Sequence, residues 1–189
     1  MKRRRFLAVL SLAFMTPSWA GARMRLTASD AEGPFYPVED IPLRPDLVLE
    51  PARINGTPLL LEGRVVNPQG QPQANVKVEI WQCDGAGLYH HPKQENTNQH
   101  DPHFAGNGAV LTDKKGSYQF YTLYPVPYGA RPPHIHIKVW QGNDELLTTQ
   151  LYLQGQTGNE WWGKNRELLQ LSPGKNQRDV WTANFDFVV

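Results

Sequence analysis

From residue 59 onward, apolar positions come in short runs separated by turn residues. Leu59 to Val66 is an apolar segment closed by the turn Asn67-Pro68-Gln69-Gly70-Gln71-Pro72. Val76, Val78 and Ile80 then alternate with Lys77, Glu79 and Trp81, the period-2 pattern of a half-buried strand. Asp113-Lys114-Lys115-Gly116 reads as a hairpin-like turn, and beyond it Tyr118, Phe120 and Thr122 alternate with Gln119, Tyr121 and Leu123. His134 to Trp140 repeats the alternation, with Ile135, Ile137 and Val139 toward the core. Leu146 to Leu153 and Phe185 to Val189 are expected as further strands, and only Trp161 to Leu171 has scope for a short helix. Short strands with regular turn signals predict an all-β fold, an antiparallel β-sandwich with long loops.

The chain before this pattern is different. Residues 21–58 are irregular and rich in proline, as in Gly33-Pro34-Phe35-Tyr36-Pro37, and read as an N-terminal arm lying over the core. The organisation expected is therefore a leader at 1–20, the arm at 21–58 and one sandwich at 59–189, with no internal repeat. Residues 90–109 form a long polar loop carrying His90, His91, His100 and His103. These histidines have no regular spacing and are expected at the surface, with His91 or His103 as candidates to line an entrance. Long loops on a rigid sandwich often frame sites.

Composition narrows the function classes. A length of 189 residues, 40% of them hydrophobic, suits one domain with a sizeable core, and 16 Gly with 16 Pro favour strands and turns over a helical bundle. No basic stripe suggests nucleic acid. Lys2-Arg3-Arg4-Arg5, the apolar run Phe6 to Phe14 and the small residues flanking Trp19 in Ser18-Trp19-Ala20 have the form of an export signal. That run is too short to span a bilayer. Arg3-Arg4-Arg5-Phe6-Leu7 fits the twin-arginine pattern, with an ordinary Sec signal as the alternative. The expected location is the periplasm, with no membrane anchor once the signal is cleaved. Cleavage removes four basic residues and no acidic one, which turns the net charge from +1 to −3. Cys83 stands alone and makes no internal disulfide; it is read as a packing residue, with a reactive thiol as the lesser alternative.

The candidate chemistry lies in Pro125-Val126-Pro127-Tyr128-Gly129-Ala130-Arg131-Pro132-Pro133-His134-Ile135-His136. On a strand, His134 and His136 point to the same side. Tyr128 precedes them, and Tyr89 lies in the Gly-rich segment after Trp81. Taken singly, a His pair on a strand is usually a solvated polar face, a lone Tyr an aromatic plug, and Arg131 a partner for a surface acid. Together, two phenolates and two imidazoles favour ferric iron. Zinc would more often recruit Cys, His and carboxylates, and an oxygen-activating Fe(II) site two His with one carboxylate. Ferric iron, two tyrosinates and a hydroxide sum to zero charge, which a low-dielectric pocket tolerates.

These residues resemble the intradiol ring-cleavage dioxygenases, the family of protocatechuate 3,4-dioxygenase and catechol 1,2-dioxygenase. The likeness covers roughly residues 30–155. It runs through Gly33-Pro34-Phe35-Tyr36, Leu61-Glu62-Gly63-Arg64-Val65-Val66, Val78-Glu79-Ile80-Trp81-Gln82, Gly87-Leu88-Tyr89-His90-His91, Gly116-Ser117-Tyr118-Gln119-Phe120, Arg131-Pro132-Pro133-His134-Ile135-His136 and Thr148-Thr149-Gln150-Leu151-Tyr152. The resemblance implies Fe(3+) held by Tyr89 and His134 as equatorial ligands and by Tyr128 and His136 as axial ones. It implies a catechol that chelates the iron in place of Tyr128 and a hydroxide, O2 as the second substrate, and a cis,cis-muconate product. Arg131 would stabilise charge developing on the ring. Gln150, and with it Tyr152, would back the pocket.

The chain departs from the family pattern in Pro-Val-Pro-Tyr, where a Gly usually follows the first Pro, a change expected at a turn and not at a ligand. Its size is that of a single protocatechuate-type subunit, and it carries all four ligand types. Family members assemble, so a homo-oligomer stays open. The competing readings are an exported sandwich that binds iron or a catechol without turnover, and a purely structural sandwich of the transthyretin-like kind. The ring substituents of the substrate are not encoded in any motif.

Overall fold

The computed structural model describes residues 23–158 and 165–189. The expected leader at 1–20 and the first part of the expected helix, 161–164, lie outside these residues. The remainder of that segment is a single 3-10 turn, Arg166–Leu168, followed by a short strand.

Two sheets face each other. One is built on β1 (Pro58–Val66), which runs antiparallel to β4 (Ser117–Leu123) and parallel to β9 (Trp181–Asn184) and β10 (Phe187–Val188), while β8 (Gly174–Lys175) pairs with β9. The other has the order β3-β2-β5-β6-β7, from β2 (Lys77–Trp81), β3 (Asn107–Leu111), β5 (His134–Gln141), β6 (Asp144–Leu153) and β7 (Gln170–Leu171). Alternate residues from each sheet fill the space between: Leu59, Leu61 and Val65 from β1, Val78 and Ile80 from β2, Phe120 from β4, and Ile135, Ile137 and Val139 from β5.

The sandwich is as expected, but it is not purely antiparallel. The C-terminal strands return alongside β1 in parallel, and β7 joins β6 in parallel, so both sheets are mixed. Asp113-Lys114-Lys115-Gly116 is a turn without a hairpin. Asp113 Oδ1 accepts from the amides of Lys115 and Ser117 at 2.8 Å each, and the turn passes the chain from β3 in one sheet to β4 in the other. The polar loop ends earlier than expected, because residues 107–109 already belong to β3.

The larger departure concerns β2, expected to be half-buried. Glu79 and Trp81 are as buried as Val78 and Ile80. The same holds on β5, where His134, His136 and Lys138 are buried opposite the core face. The cause is the arm, which closes the outer face of this sheet. The Asp30 amide donates to the Thr148 carbonyl at 3.1 Å, and the Gln150 side-chain amide donates to the Ala31 carbonyl at 2.6 Å. Lys138 pairs with Glu32 and sits over the Tyr36 ring, whose hydroxyl donates to Glu79 at 2.9 Å. Farther along, Arg44 and Leu47 donate to Ala109 and Tyr121 at 2.8 Å each, and Leu47 and Val48 enter the core. A polar row that would otherwise be solvated becomes an interior.

Candidate metal centre

The register of the strands assembles one row across that covered face. Trp81 on β2 stands opposite His136 on β5, and His136 stands opposite Gln150 on β6. One step along, His134 pairs with Tyr152. Period-2 alternation aims all of these side chains at the arm.

Tyr89 reaches the same place from a loop. The turn that presents it is tied by Asp84, buried, whose Oδ1 accepts from the amides of Ala86 and Leu88 at 2.9 and 3.0 Å, and whose Oδ2 accepts from the Asp101 amide at 2.8 Å. The Tyr89 ring stacks on Phe35 of the arm, with centroids 4.6 Å apart. Tyr128 stands edge-on to both rings, 5.3 Å from each. It opens a four-residue turn in which the Arg131 amide donates to its carbonyl at 2.8 Å, with Gly129 at φ +52.

Three donors converge. The Tyr89 hydroxyl is 3.1 Å from His134 Nε2, and His134 Nε2 is 3.2 Å from His136 Nε2. His134 Nδ1 lies 2.6 Å from the Pro132 carbonyl, which can only accept. The proton is therefore on Nδ1, and Nε2 carries a lone pair. That single lone pair faces two neighbours and can accept a hydrogen bond well from only one of them. A cation between the three donors satisfies all of them. Two metal–ligand bonds of about 2.1 Å at a right angle separate their donors by about 3 Å, in agreement with both spacings. Among the described residues no group of three or more His, Cys, Asp and Glu side chains is gathered for a metal, and an ion held between these three donors would take a phenol oxygen as one of its ligands. The donor set fits ferric iron by charge and hardness.

Burial acts on these groups in one direction. It holds the Tyr89 phenol well above its ordinary value, with Cys83 adding to the rise. His134 is pushed down to about 4 and His136 well below the usual imidazole range, both chiefly by desolvation. The imidazoles are thus neutral at physiological pH, as ligands must be. In the metal-free protein a folded His134 takes up a proton near pH 4, whereas an unfolded one does so near 6.5. Its contribution to stability is complete above about pH 6.5 and is lost as pH falls toward 4. Between pH 7 and pH 5 we expect the metal-free protein to lose about 2 kcal/mol through His134 alone, with His136 adding to the loss. Urea unfolding at the two pH values measures this, and a smaller loss is expected in His134→Asn.

Arg131 lies beside the donors. Its Nη2 donates to Gln150 Oε1 at 2.9 Å and faces the Tyr152 hydroxyl at 3.4 Å. All the residues expected at the site are brought to one place: Tyr89, Tyr128, Arg131, His134, His136, Gln150 and Tyr152. Three of the loop histidines stay away. His90 stacks on His100, and His103 contacts Glu50. His91 is not a surface residue; it is buried edge-on to Phe35 and supports the ring that supports Tyr89. Cys83 packs with Phe35, Trp81 and Tyr89, its thiol pushed up to about 12 by burial, which leaves no reactive thiolate.

Several supporting residues were assigned no role at the site by the sequence. Trp81 lies flat on His136, with centroids 4.7 Å apart and the planes 7° from parallel. Gly33 has φ +77, and a Cβ there would sit 3.2 Å from His136 Cε1. Gly33→Ala is expected to destabilise the fold by about 1–2 kcal/mol, from left-handed strain plus crowding of the His136 ring. Chemical denaturation reads this directly. Asp30 and Arg166 form a buried ion pair, Nε to Oδ2 at 3.2 Å, beneath Tyr152. Only their distant sequence positions hid it.

A family model described as "Dioxygenase" (Dioxygenase_C) matches residues 31–131, from the arm through Arg131. The chain belongs to the intradiol ring-cleavage dioxygenase family. It is 37% identical over 139 residues to the protocatechuate 3,4-dioxygenase beta chain of Burkholderia cepacia, covering 67% of this chain and 59% of that one. It is 30% identical over 146 residues to catechol 1,2-dioxygenase of Candida albicans, covering 67% of this chain and 46% of that one. The chain thus spans about half the length of these relatives. Among solved structures, the dioxygenase domain of a dioxygenase carbohydrate-binding protein fusion from Streptomyces sp. SirexAA-E superposes with a TM-score of 0.72 at 28% identity, over 87% of this chain and 98% of that one.

Proposed function

We propose that this chain is a non-haem Fe(III) dioxygenase that opens a catechol-type ring between its two hydroxylated carbons with O2, giving a cis,cis-muconate-type product. The observation that carries the reading is the convergence of the Tyr89 hydroxyl and the Nε2 atoms of His134 and His136 within 3.1 and 3.2 Å, beside the Arg131–Gln150 pair. Tyr89, Tyr128, His134 and His136 would hold the iron. Bound there, ferric iron supplies a Lewis acid that draws electron density from a catecholate ring.

The chain's own residues do the rest. His134 is locked in one tautomer by the Pro132 carbonyl, and His136 is clamped between Trp81 and the Gly33 backbone, so neither imidazole swings away. Tyr128 sits at the rim, on a turn with exposed neighbours, and as a phenolate it would be the base that takes a catechol proton and becomes a neutral phenol. Arg131 presents a fixed cation to the ring as negative charge moves onto it; such preorganised charge in a desolvated pocket is often the largest single contribution to rate. Phe35, Trp81 and the arm exclude water from the ligand face. The N-terminal run with the form of an export signal supports a site of action in the periplasm.

Purified protein reconstituted with ferric iron should be coloured by tyrosinate-to-Fe(III) charge transfer, shift its band on addition of catechol, and consume O2 as muconate absorbance rises. A protein that stays colourless overturns the iron reading. A coloured protein that binds catechol without taking up O2 is a binding protein and not an enzyme.

A further inference from the structure

The network under Arg131 extends beyond the residues that face the ring. The Tyr152 hydroxyl is 2.8 Å from Asp30 Oδ2 and 3.0 Å from Gln150 Oε1. It has one proton and two candidate acceptors. Asp30 offers a charged oxygen, the stronger acceptor, while Gln150 Oε1 already receives Arg131 Nη2 at 2.9 Å. The proton therefore points to Asp30. The phenol oxygen then turns its lone pairs toward Arg131, 3.4 Å away.

The orientation of Gln150 is fixed from the same segment. Its Nε2 donates to the Ala31 carbonyl at 2.6 Å, so Oε1 must face the guanidinium. Two consecutive arm residues thus decide the direction of both acceptors. Asp30 itself is anchored and charge-compensated by Arg166, whose Nε lies 3.2 Å from Oδ2 and whose guanidinium carbon lies 4.7 Å from the centre of the Tyr152 ring. The side chains of Arg166 and Asp30 are only 3% and 5% exposed. A buried pair of this kind is weak evidence for stability, since desolvation offsets most of its attraction. It is a good device for fixing one hydrogen-bond direction.

We infer that Asp30 is a positioning residue for Arg131: by accepting the Tyr152 hydrogen bond it turns the phenol oxygen toward the guanidinium as a second acceptor, beside the Gln150 carbonyl that Ala31 holds in place. The inference rests on the site being the catechol-binding one, but the hydrogen-bond direction does not.

Asp30→Asn keeps the shape but removes the charge that makes this oxygen the stronger acceptor, which frees the Tyr152 proton to turn to Gln150 Oε1 instead. In the ferric protein this variant should raise the KM for catechol and lower kcat, together by about 10-fold in kcat/KM, while the charge-transfer band of the resting protein stays in place. Tyr152→Phe should cost a similar factor, and the double variant should cost no more than either single one, because both cut the same chain. The guanidinium nitrogen signals of Arg131 in the metal-free protein give a readout independent of turnover. Rotation about the guanidinium bonds should be slow in the wild type and fast in Asp30→Asn and Tyr152→Phe. A wild-type protein that takes up no O2 defeats the catalytic reading and leaves this measurement standing. Unchanged Arg131 signals in Asp30→Asn, or losses that multiply in the double variant, overturn the positioning role.

Discussion

Tyr89→Phe is expected to lower ring cleavage by at least about 10²-fold and to weaken and displace the tyrosinate-to-iron band, while the protein stays folded. The phenol is one of three donors that meet within 3.1 and 3.2 Å, and Phe leaves the other two facing each other. Loss of one anion also leaves a trivalent cation undercompensated in a desolvated site. Losing a partner that merely orients a metal ligand typically costs 10–100-fold in affinity or activity, and removing the ligand itself should exceed that. Stability should change little. Phe keeps the stack on Phe35 at 4.6 Å, and the lost hydroxyl had only an imidazole to face. Oxygen uptake, the visible spectrum and thermal unfolding of one preparation separate these effects. A variant with full activity and an unchanged band would remove Tyr89 from the site.

Arg131→Lys is the second large effect expected, and it differs in kind. The charge is kept, but a lysine cannot reproduce the planar fork that meets Gln150 at 2.9 Å and faces Tyr152 at 3.4 Å. The ammonium would be drawn to one acceptor and leave the position where ring charge develops. A loss of about 10²-fold in kcat/KM is expected, the scale seen when one preorganised donor is removed from a developing anion. The band of the resting protein should stay where it is in the wild type, because no donor is touched. A spectrum altered as strongly as in Tyr89→Phe would mean that Arg131 holds the ligands and not the substrate.

The pattern that makes His134 and His136 a pair is local. Two residues apart on a strand they must share a face, and alternating Ile135, Ile137 and Val139 say which face is core. The residue types alone, two phenols and two imidazoles, then narrow the metal. The turn at Asp113 was also legible, because an Asp followed by a Gly three residues later has its own hydrogen-bonding logic. Its role was not, since a turn does not reveal whether its flanking strands pair with each other. The parallel return of β9 and β10 onto β1 was hidden for the same reason: pairing partners are a long-range choice.

The sequence by itself determined the sandwich class, the period of the strands, the shared face of His134 and His136, and a set of candidate groups with the chemistry of a ferric site. Only the tertiary structure decided that this face is an interior. The arm, which no periodicity describes, lies on it, buries Glu79, Trp81 and Lys138, and brings Gly33 and Phe35 against His136 and Tyr89. It also joined Asp30 to Arg166 across the chain under Tyr152. The physical reason is one of range. Side-chain direction along a strand is set by its own backbone, whereas desolvation, stacking and hydrogen-bond direction depend on what another segment lays on top.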